Sequence, residues 1–527
     1  MDGVNFVVFL RLENQCIKMM KKTVVTTVIV AGTLLASFSA SAQYKTKDAP
    51  ENGQNPEVQA ILEQAEAAET PVVITLEQAL EIALSENVSV KVADMEIERT
   101  GFARKGSYAA LFPQIDASGA YQRTIKKQVM YMDFDMSSLG GLGGGTGEGG
   151  ETELPDGVEI PDGVEIPETD TESSKNGGGL EVGRWNTWSA GVTAAMPLVN
   201  AQLWKSIRIS GLDVELAVEK ARSSRLETVT QVKNAYFATL LAKEAFNVYK
   251  DVYENAVSNY EEAKKKFDAE KISEMELLRA KTTVANAIPN VYNAESSIIL
   301  ALWQLKAVLG VDLDMNLDIA GQLADYADHM LYDMHQHDSL DLDRNTTMKQ
   351  LAIQSEMLAE TIKLQKYANI PSLALAFNFS MNAMTNDFNF SEFRWTPYSY
   401  VGLSLNIPIF AGGKRYQAIR QAKNQYQQVQ LQTENTERQL KIAIRQSLTT
   451  METNMKSYYA AQDAVASAAK GYSIAEKAYQ VGRSTLIELN DAQLALTQAQ
   501  LAESQAIYNF VIAKAQLEQT LGQDFIE

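Results

Sequence analysis

Two carboxylates near the end of the chain, Glu488 and Asp491, stand three residues apart in LIELNDAQL. That spacing puts both on one face of a helix. Carboxylates ringing a narrow pore attract cations and repel anions; on a single helix they are solvated surface charge. A second cluster holds the only three histidines, His329, His335 and His337, with Met330, Met334 and Asp338 among them. An HxH pair with methionine nearby has donor types suited to copper or zinc, and the competing reading is a polar loop. No nucleophile–base pattern accompanies either cluster, and no GxxxxGK[ST] loop is present to cradle a nucleotide. The sequence therefore predicts no catalytic residue, no cofactor and no resident metal.

The elements that would position these residues occur twice. Residues 113–310 and 371–522 can be laid over each other: Pro113 answers Pro371, Pro197 answers Pro408, and Gly310 answers Gly522. KFDAEKISEMELLRAKT (266–282) answers AYQVGRSTLIELNDAQL (478–494). Self-similarity on this scale sets the architecture ahead of any count of domains from length. Each copy reads as strand, strand, then two very long helices. The helices are predicted from Val199 to Phe267, Ser273 to Leu309, Gly413 to Tyr479 and Thr485 to Leu521, rich in strong helix formers. At ~1.5 Å per residue the longest reach on the order of 100 Å. Pro289 is a candidate kink, and small apolar residues at Ala492, Leu496, Ala499, Ala502 and Ala506 suit helix-on-helix packing. An earlier helix is expected from Thr75, with Gln78 completing a capping box, to Leu111 before Pro113.

Four segments alternate with period two. Ile115, Ala117, Gly119 and Tyr121 oppose Gln114, Asp116, Ser118 and Gln122. Trp188, Ala190, Val192, Ala194 and Met196 oppose Thr187, Ser189, Gly191 and Thr193. Leu373, Leu375, Phe377, Phe379 and Met381 oppose Ser372, Asn378, Ser380 and Asn382. Val401, Leu403, Leu405 and Ile407 oppose Tyr400, Gly402, Ser404 and Asn406. Each is about ten residues long, the length of a tilted strand crossing an outer membrane. Tyr121, Trp185, Trp188, Trp395, Tyr398 and Tyr400 gather near the strand ends, as an interfacial girdle requires. Four strands cannot close a barrel, and lipid cannot satisfy their edges, so the pattern demands an oligomer.

The first hairpin carries an insertion around 127–182. It is acidic and Gly-rich (GGLGGGTGEGG) and contains two identical copies of PDGVEI. It reads as a disordered external loop; its acid spacing matches no EF-hand calcium loop. The chain opens with a targeting pattern: Lys21 and Lys22, an apolar run from Val24 to Phe38, and Ala40-Ser41-Ala42 before Gln43. The expected start is Met19 or Met20, and the exported chain is expected to begin at Gln43. Cys16, the only cysteine, precedes this signal, leaving no disulfide in the mature chain. Net charge is −19, which disfavours nucleic acid as a partner. The expected organisation is an upstream segment and signal (1–42), a loose mature N-terminus (43–71), a first repeat (72–310), a linker (311–347), a second repeat (348–522) and a short tail (523–527).

These residues resemble the TolC family of outer-membrane efflux proteins over about 72–522. The resemblance rests on the opening helix LEQALEIALSENVSVKVA (Leu76 to Ala93) and its echo MKQLAIQSEMLAETIKLQKYANIPSL (348–373). It rests further on the strand-to-helix turns MPLVN and IPIFAGGKR, and most of all on YQVGRSTLIELNDAQLALTQAQ (479–500). It implies an α+β membrane protein: a homotrimer whose four strands per protomer make a twelve-stranded outer-membrane β-barrel, continuous with a long periplasmic α-helical barrel. Residues 311–347, with the termini, would form a belt. The implied function is an outer-membrane exit duct of a tripartite efflux or secretion system, without enzymatic activity. A periplasmic adaptor protein, indirectly an inner-membrane pump, and outer-membrane lipid would be its partners. Glu488 and Asp491 match positions of acidic rings at the periplasmic aperture. Tyr479 and Glu276 match gate contacts. The family's gate arginine aligns with Ser484, whereas this chain has Arg483. The adaptor would meet the tips at Val481, Gly482 and Arg483 and at Ala269, Glu270 and Lys271, where Glu270 stands in place of glycine. The alternative reading is a periplasmic coiled-coil scaffold or adhesin without a pore.

Overall fold

The structure, a computed structural model, describes residues 71–130, 180–328, 342–388 and 393–523, together with positions 58, 59, 61, 65 and 330. The targeting segment, most of the acidic insertion and the three histidines lie outside these residues. The chain divides into two compact units, Met1–Gln64 and Ala65–Glu527. The elements that position the site belong to the second.

In chain order these elements begin with β1 (Val72–Ile74), α1 (Leu76–Glu86) and α2 (Val88–Ala109), then β2 (Gln114–Arg123), β3 (Gln128–Met130), β4 (Leu180–Val182) and β5 (Asn186–Val199). Two long helices follow, α3 (Ala201–Asp268) and α4 (Glu274–Leu309), and then β6 (Leu317–Ile319) and a 3-10 turn at Leu323–Tyr326. The second repeat supplies α5 (Thr346–Tyr367), β7 (Ser372–Thr385), β8 (Thr396–Asn406), α6 (Lys414–Gln480) and α7 (Leu486–Leu521). The long helices start and stop within two residues of the sequence expectation, and α4 runs on through Pro289.

The four predicted strands form one antiparallel sheet in the order β2-β5-β7-β8. Its register lines up the apolar sets read from the sequence. Ile115 pairs with Ala194, Ala194 with Phe377, and Phe377 with Val401; Tyr121 pairs with Trp188, and Leu375 with Leu403. Because side chains alternate along a strand, one such row fixes the face of the whole sheet. Asp116, Thr193 and Asn378 form a row of the opposite face. Pro197 lies in a strand with neighbours on both sides, which normally excludes proline. It is accommodated because β2 stops at Gln114 opposite Ala195, so the β2 side of β5 has no partner at Pro197. All helices leave from one end of the sheet, through Gln114, Val199, Ser372 and Asn406; the hairpin connections lie at the other. At the hairpin end the Tyr121 and Trp188 rings are 4.4 Å apart. Strands β2 and β8 are its edges.

The structure departs from the sequence reading in several places. At the described ends of the 127–182 insertion, expected to be a disordered loop, β3 and β4 pair as a short antiparallel ribbon, Gln128 opposite Val182 and Met130 opposite Leu180. The expected helix from Thr75 to Leu111 is two helices, broken at Asn87. Asn87 caps α2 by accepting from Ser89 N–H, while its Nδ2 donates to the Val308 carbonyl at 2.6 Å. The second repeat builds the same joint: Asn345 caps α5 at Met348 N–H, and its Nδ2 donates to Thr520 O at 2.6 Å. Both asparagines are buried, so each is held by a partner more than a hundred residues away. The linker, expected to be part of a belt, contributes β6, which pairs in parallel with β1. That ribbon sits on α3, where Tyr236 donates to Ala320 O at 2.6 Å and burial pushes its phenol up to about 12.

The long helices pack as two hairpins, α3 with α4 and α6 with α7. Partly buried ion pairs tie the first hairpin to its neighbours: Lys205 to Glu360 of α5 and Lys233 to Glu518 of α7, each at 2.7 Å. Among the described residues no helix is long and apolar enough to cross a membrane.

Candidate functional site: the paired hairpin tips

The residues singled out in the sequence meet at the far ends of the two long hairpins. Each tip is built by the same backbone grammar. Helix α3 ends as Ala269 N–H bonds Lys265 O, Glu270 N–H bonds Phe267 O and Lys271 N–H bonds Lys266 O. Helix α6 ends as Val481 N–H bonds Lys477 O, Gly482 N–H bonds Tyr479 O and Arg483 N–H bonds Ala478 O. Both are left-handed C-terminal caps. The return helices then start on Ser273 and Thr485, whose hydroxyls accept from Glu276 N–H and Glu488 N–H at 3.3 Å.

The turn residues differ. Gly482 has φ of 76°, ordinary for glycine, whereas Glu270 adopts 55°, the one positive-φ non-glycine residue described. Loss of the glycine therefore did not change the shape of the first tip; the hydrogen bonds around it hold Glu270 in a conformation that L residues avoid. All six proposed tip-contact residues (Ala269, Glu270, Lys271, Val481, Gly482 and Arg483) are exposed. Met275, Leu278 and Ile487 add exposed apolar surface beside them.

Between the hairpins lies a small closed core of Ala263, Ala280, Tyr479, Leu486 and Leu489, with Tyr260, Ile272, Leu277, Tyr472 and Ala475 packed against it. Tyr479 is its largest fully enclosed member at 2% exposure. Its hydroxyl is buried and has no hydrogen-bond partner. Burial first, then the charges of Glu276 and Glu262, push its phenol up to about 12, so it stays neutral. What fixes Tyr479 is its ring and its main chain. Lys266 of α3 donates to the Tyr479 carbonyl at 2.6 Å and lies 4.1 Å from the centre of its ring. Sequence reasoning missed Lys266, because nothing in its local spacing points across to the other repeat. Asn255–Gln493 at 3.2 Å and Asn490–Thr283 at 3.3 Å are further polar links between the hairpins.

Glu488 and Asp491 are both exposed on α7, as their spacing implied. Glu488 also has a local task. Its carboxylate accepts from Thr485 N–H at 3.1 Å and from the Ser484 hydroxyl, completing a capping box. The Ser484 bond first and the Thr485 N–H second hold this carboxyl below the ordinary glutamate range. Glu276, its counterpart in the first repeat, receives the Ser273 bond but forms no reciprocal box. The Arg483 side chain makes no hydrogen bond or ion pair among the described residues. Among those residues no group of three or more His, Cys, Asp or Glu could hold a metal ion.

The sequence matches the family model described as outer membrane efflux protein, over residues 167–311 and 339–523. It is similar to the outer membrane protein TolC of Vibrio cholerae, 20% identical over 342 residues, which cover 63% of this chain and 76% of that protein. In structure it resembles the CmeC outer membrane channel of Campylobacter jejuni, with 18% identity, a TM-score of 0.60, and 87% of this chain and 91% of that one covered. It also resembles the open state of the MtrE outer membrane channel of Neisseria gonorrhoeae, with 16% identity, a TM-score of 0.59, and 85% and 88% covered.

Proposed function

The chain belongs to the outer membrane efflux protein family, and from that premise we propose that its closed end lies at the paired hairpin tips. It is an outer-membrane exit duct of the tripartite type, with its sheet in the outer membrane and its long helices projecting into the periplasm. Proteins of this type are trimeric and form a family of channels, not of enzymes. The observation that carries the reading is the sheet: four strands, apolar residues in continuous rows across one face, and two edges, β2 and β8, left to other copies. Lipid cannot satisfy such edges, and three copies supply the twelve strands of a closed barrel. A coiled-coil scaffold has no use for that sheet.

In this reading Glu488 and Asp491 from each protomer line the aperture and favour cations. Tyr479, Glu276 and Arg483 belong to the contacts that keep it shut. The exposed tips at Ala269–Lys271 and Val481–Arg483 receive a periplasmic adaptor, which links the duct to an inner-membrane pump; Met275, Leu278 and Ile487 supply apolar surface for that contact. Substrate passes without a chemical step.

The test is conductance of the purified protein in planar bilayers. Replacing Glu488→Ala together with Asp491→Ala should shift the reversal potential in a salt gradient toward zero selectivity. An unchanged reversal potential would place the acidic ring elsewhere. Recovery of the protein as a soluble periplasmic species, with no heat-modifiable band on gels, would overturn the duct reading altogether.

A further inference from the structure

We propose that Lys266 is the latch of the closed tip, a single cation shared by the C-terminal ends of two helices from different repeats. The inference rests on the duct reading and names the residue that holds its closed end. Lys266 lies in the last turn of α3, and the carbonyl it reaches belongs to the last turn of α6. Helix C-termini carry partial negative charge from carbonyls without intrahelical partners, so a cation placed between two of them is stabilised by both. The ammonium has a fully specified seat. It donates to the Tyr479 carbonyl at 2.6 Å, pairs with Glu262 at 2.9 Å, and stands 4.1 Å from the Tyr479 ring centre, with its side chain 18% exposed. Cation–ring attraction strengthens as the site loses water.

The Tyr479 hydroxyl takes no part in this arrangement. It is buried and unpartnered, so the tyrosine contributes a ring and a carbonyl, not a hydrogen-bonding group. The other repeat supports that separation. Phe267 occupies the position equivalent to Tyr479, with no hydroxyl, and Ala478 occupies the position equivalent to Lys266. The link therefore runs one way, from the first repeat to the second, and the duplication does not repeat it. Any opening movement that parts the two tips must take the ammonium from its carbonyl and its ring. The neutral links Asn255–Gln493 and Asn490–Thr283, at 3.2 and 3.3 Å, are longer and carry no charge.

The experiment compares resting conductance of the purified protein in planar bilayers with that of Lys266→Met, Lys266→Arg and Tyr479→Phe. Methionine keeps the apolar stem and removes the charge, so Lys266→Met should raise resting conductance several-fold. Arginine keeps the cation and should remain near the parent, a rescue that loss of packing alone would not give. Tyr479→Phe keeps the ring and the carbonyl that hold the ammonium and should open the tip less than Lys266→Met does. Lys266→Gln serves as the second variant if methionine blocks assembly, with the same opening expected. A parent that conducts while Lys266→Met and Lys266→Gln leave it unchanged overturns the latch and spares the duct reading. Opening by Tyr479→Phe equal to that of Lys266→Met also overturns it, since the hydroxyl would then hold the tip. If no variant and no parent conducts at any voltage, the duct reading fails and the latch falls with it.

Discussion

At the first tip the chain turns through Glu270 at φ 55°, and at the second through Gly482 at φ 76°. Both turns are closed by the same three backbone hydrogen bonds, and both are followed by a hydroxyl-capped helix. The side chains diverge. The first tip sends Lys266 across to the second and has Phe267, half-buried and outside the tip core, at the position equivalent to Tyr479. The second receives Lys266 on Tyr479, and folds Glu488 back to cap its own helix. Duplication therefore fixed the scaffold twice, while the charged contact that joins the two tips, from Lys266 to Tyr479, occurs once and in one direction. A tip can change its residues freely where the backbone network already determines its shape.

The comparison breaks first at what the repeats share. Gly310 and Gly522 end the two return helices at φ of 80° and 70°. A Cβ on Gly310 would lie 2.7 Å from Glu86 O, and one on Gly522 would strike Arg344 O. Left-handed strain and a backbone clash act together, so Gly310→Ala and Gly522→Ala should each destabilise by about 3 kcal/mol. Thermal unfolding in detergent measures this. Costs that differ widely would show that the two joints do not bear equal load.

The tips themselves come next. Glu270→Gly relieves a left-handed residue and should stabilise by about 1 kcal/mol, whereas Gly482→Ala, with open space around it, should cost about the same. Equal signs for the two changes would mean that the turns are not equivalent.

The smallest effect concerns the capping acids. The Glu488 carboxyl is held below its unfolded value. Its contribution is therefore full above the ordinary glutamate range and is lost as pH falls through the lowered folded value. Glu488→Gln should flatten the acid side of the stability–pH curve slightly. At neutral pH Glu276→Gln, which has no capping box to lose, should lower thermal stability less than Glu488→Gln does. Equal losses for the two would remove the distinction.

Much of this protein was legible without coordinates. Alternation assigned Ile115, Val192, Phe377 and Val401 to one face, and the sheet register keeps them there, because a strand's side-chain period is a local property. The long helices were legible because their runs are rich in strong helix formers and because the second copy repeats the first, Gly310 answering Gly522. Asn87 was not legible as a break. A capping asparagine inside a helical pattern is decided by whether its amide finds a partner, and Val308 O lies on a distant helix.

The candidate site divides the same way. Spacing alone put Glu488 and Asp491 on an exposed face of one helix. Only the packing of one hairpin on the other buried Tyr479, left its hydroxyl without a partner and brought Lys266 to its carbonyl. The sequence determined the repeated elements, their lengths and their faces, since each depends on neighbours a few residues apart. The tertiary structure decided which copy reaches for the other, since that contact joins residues from different repeats and no local pattern encodes it.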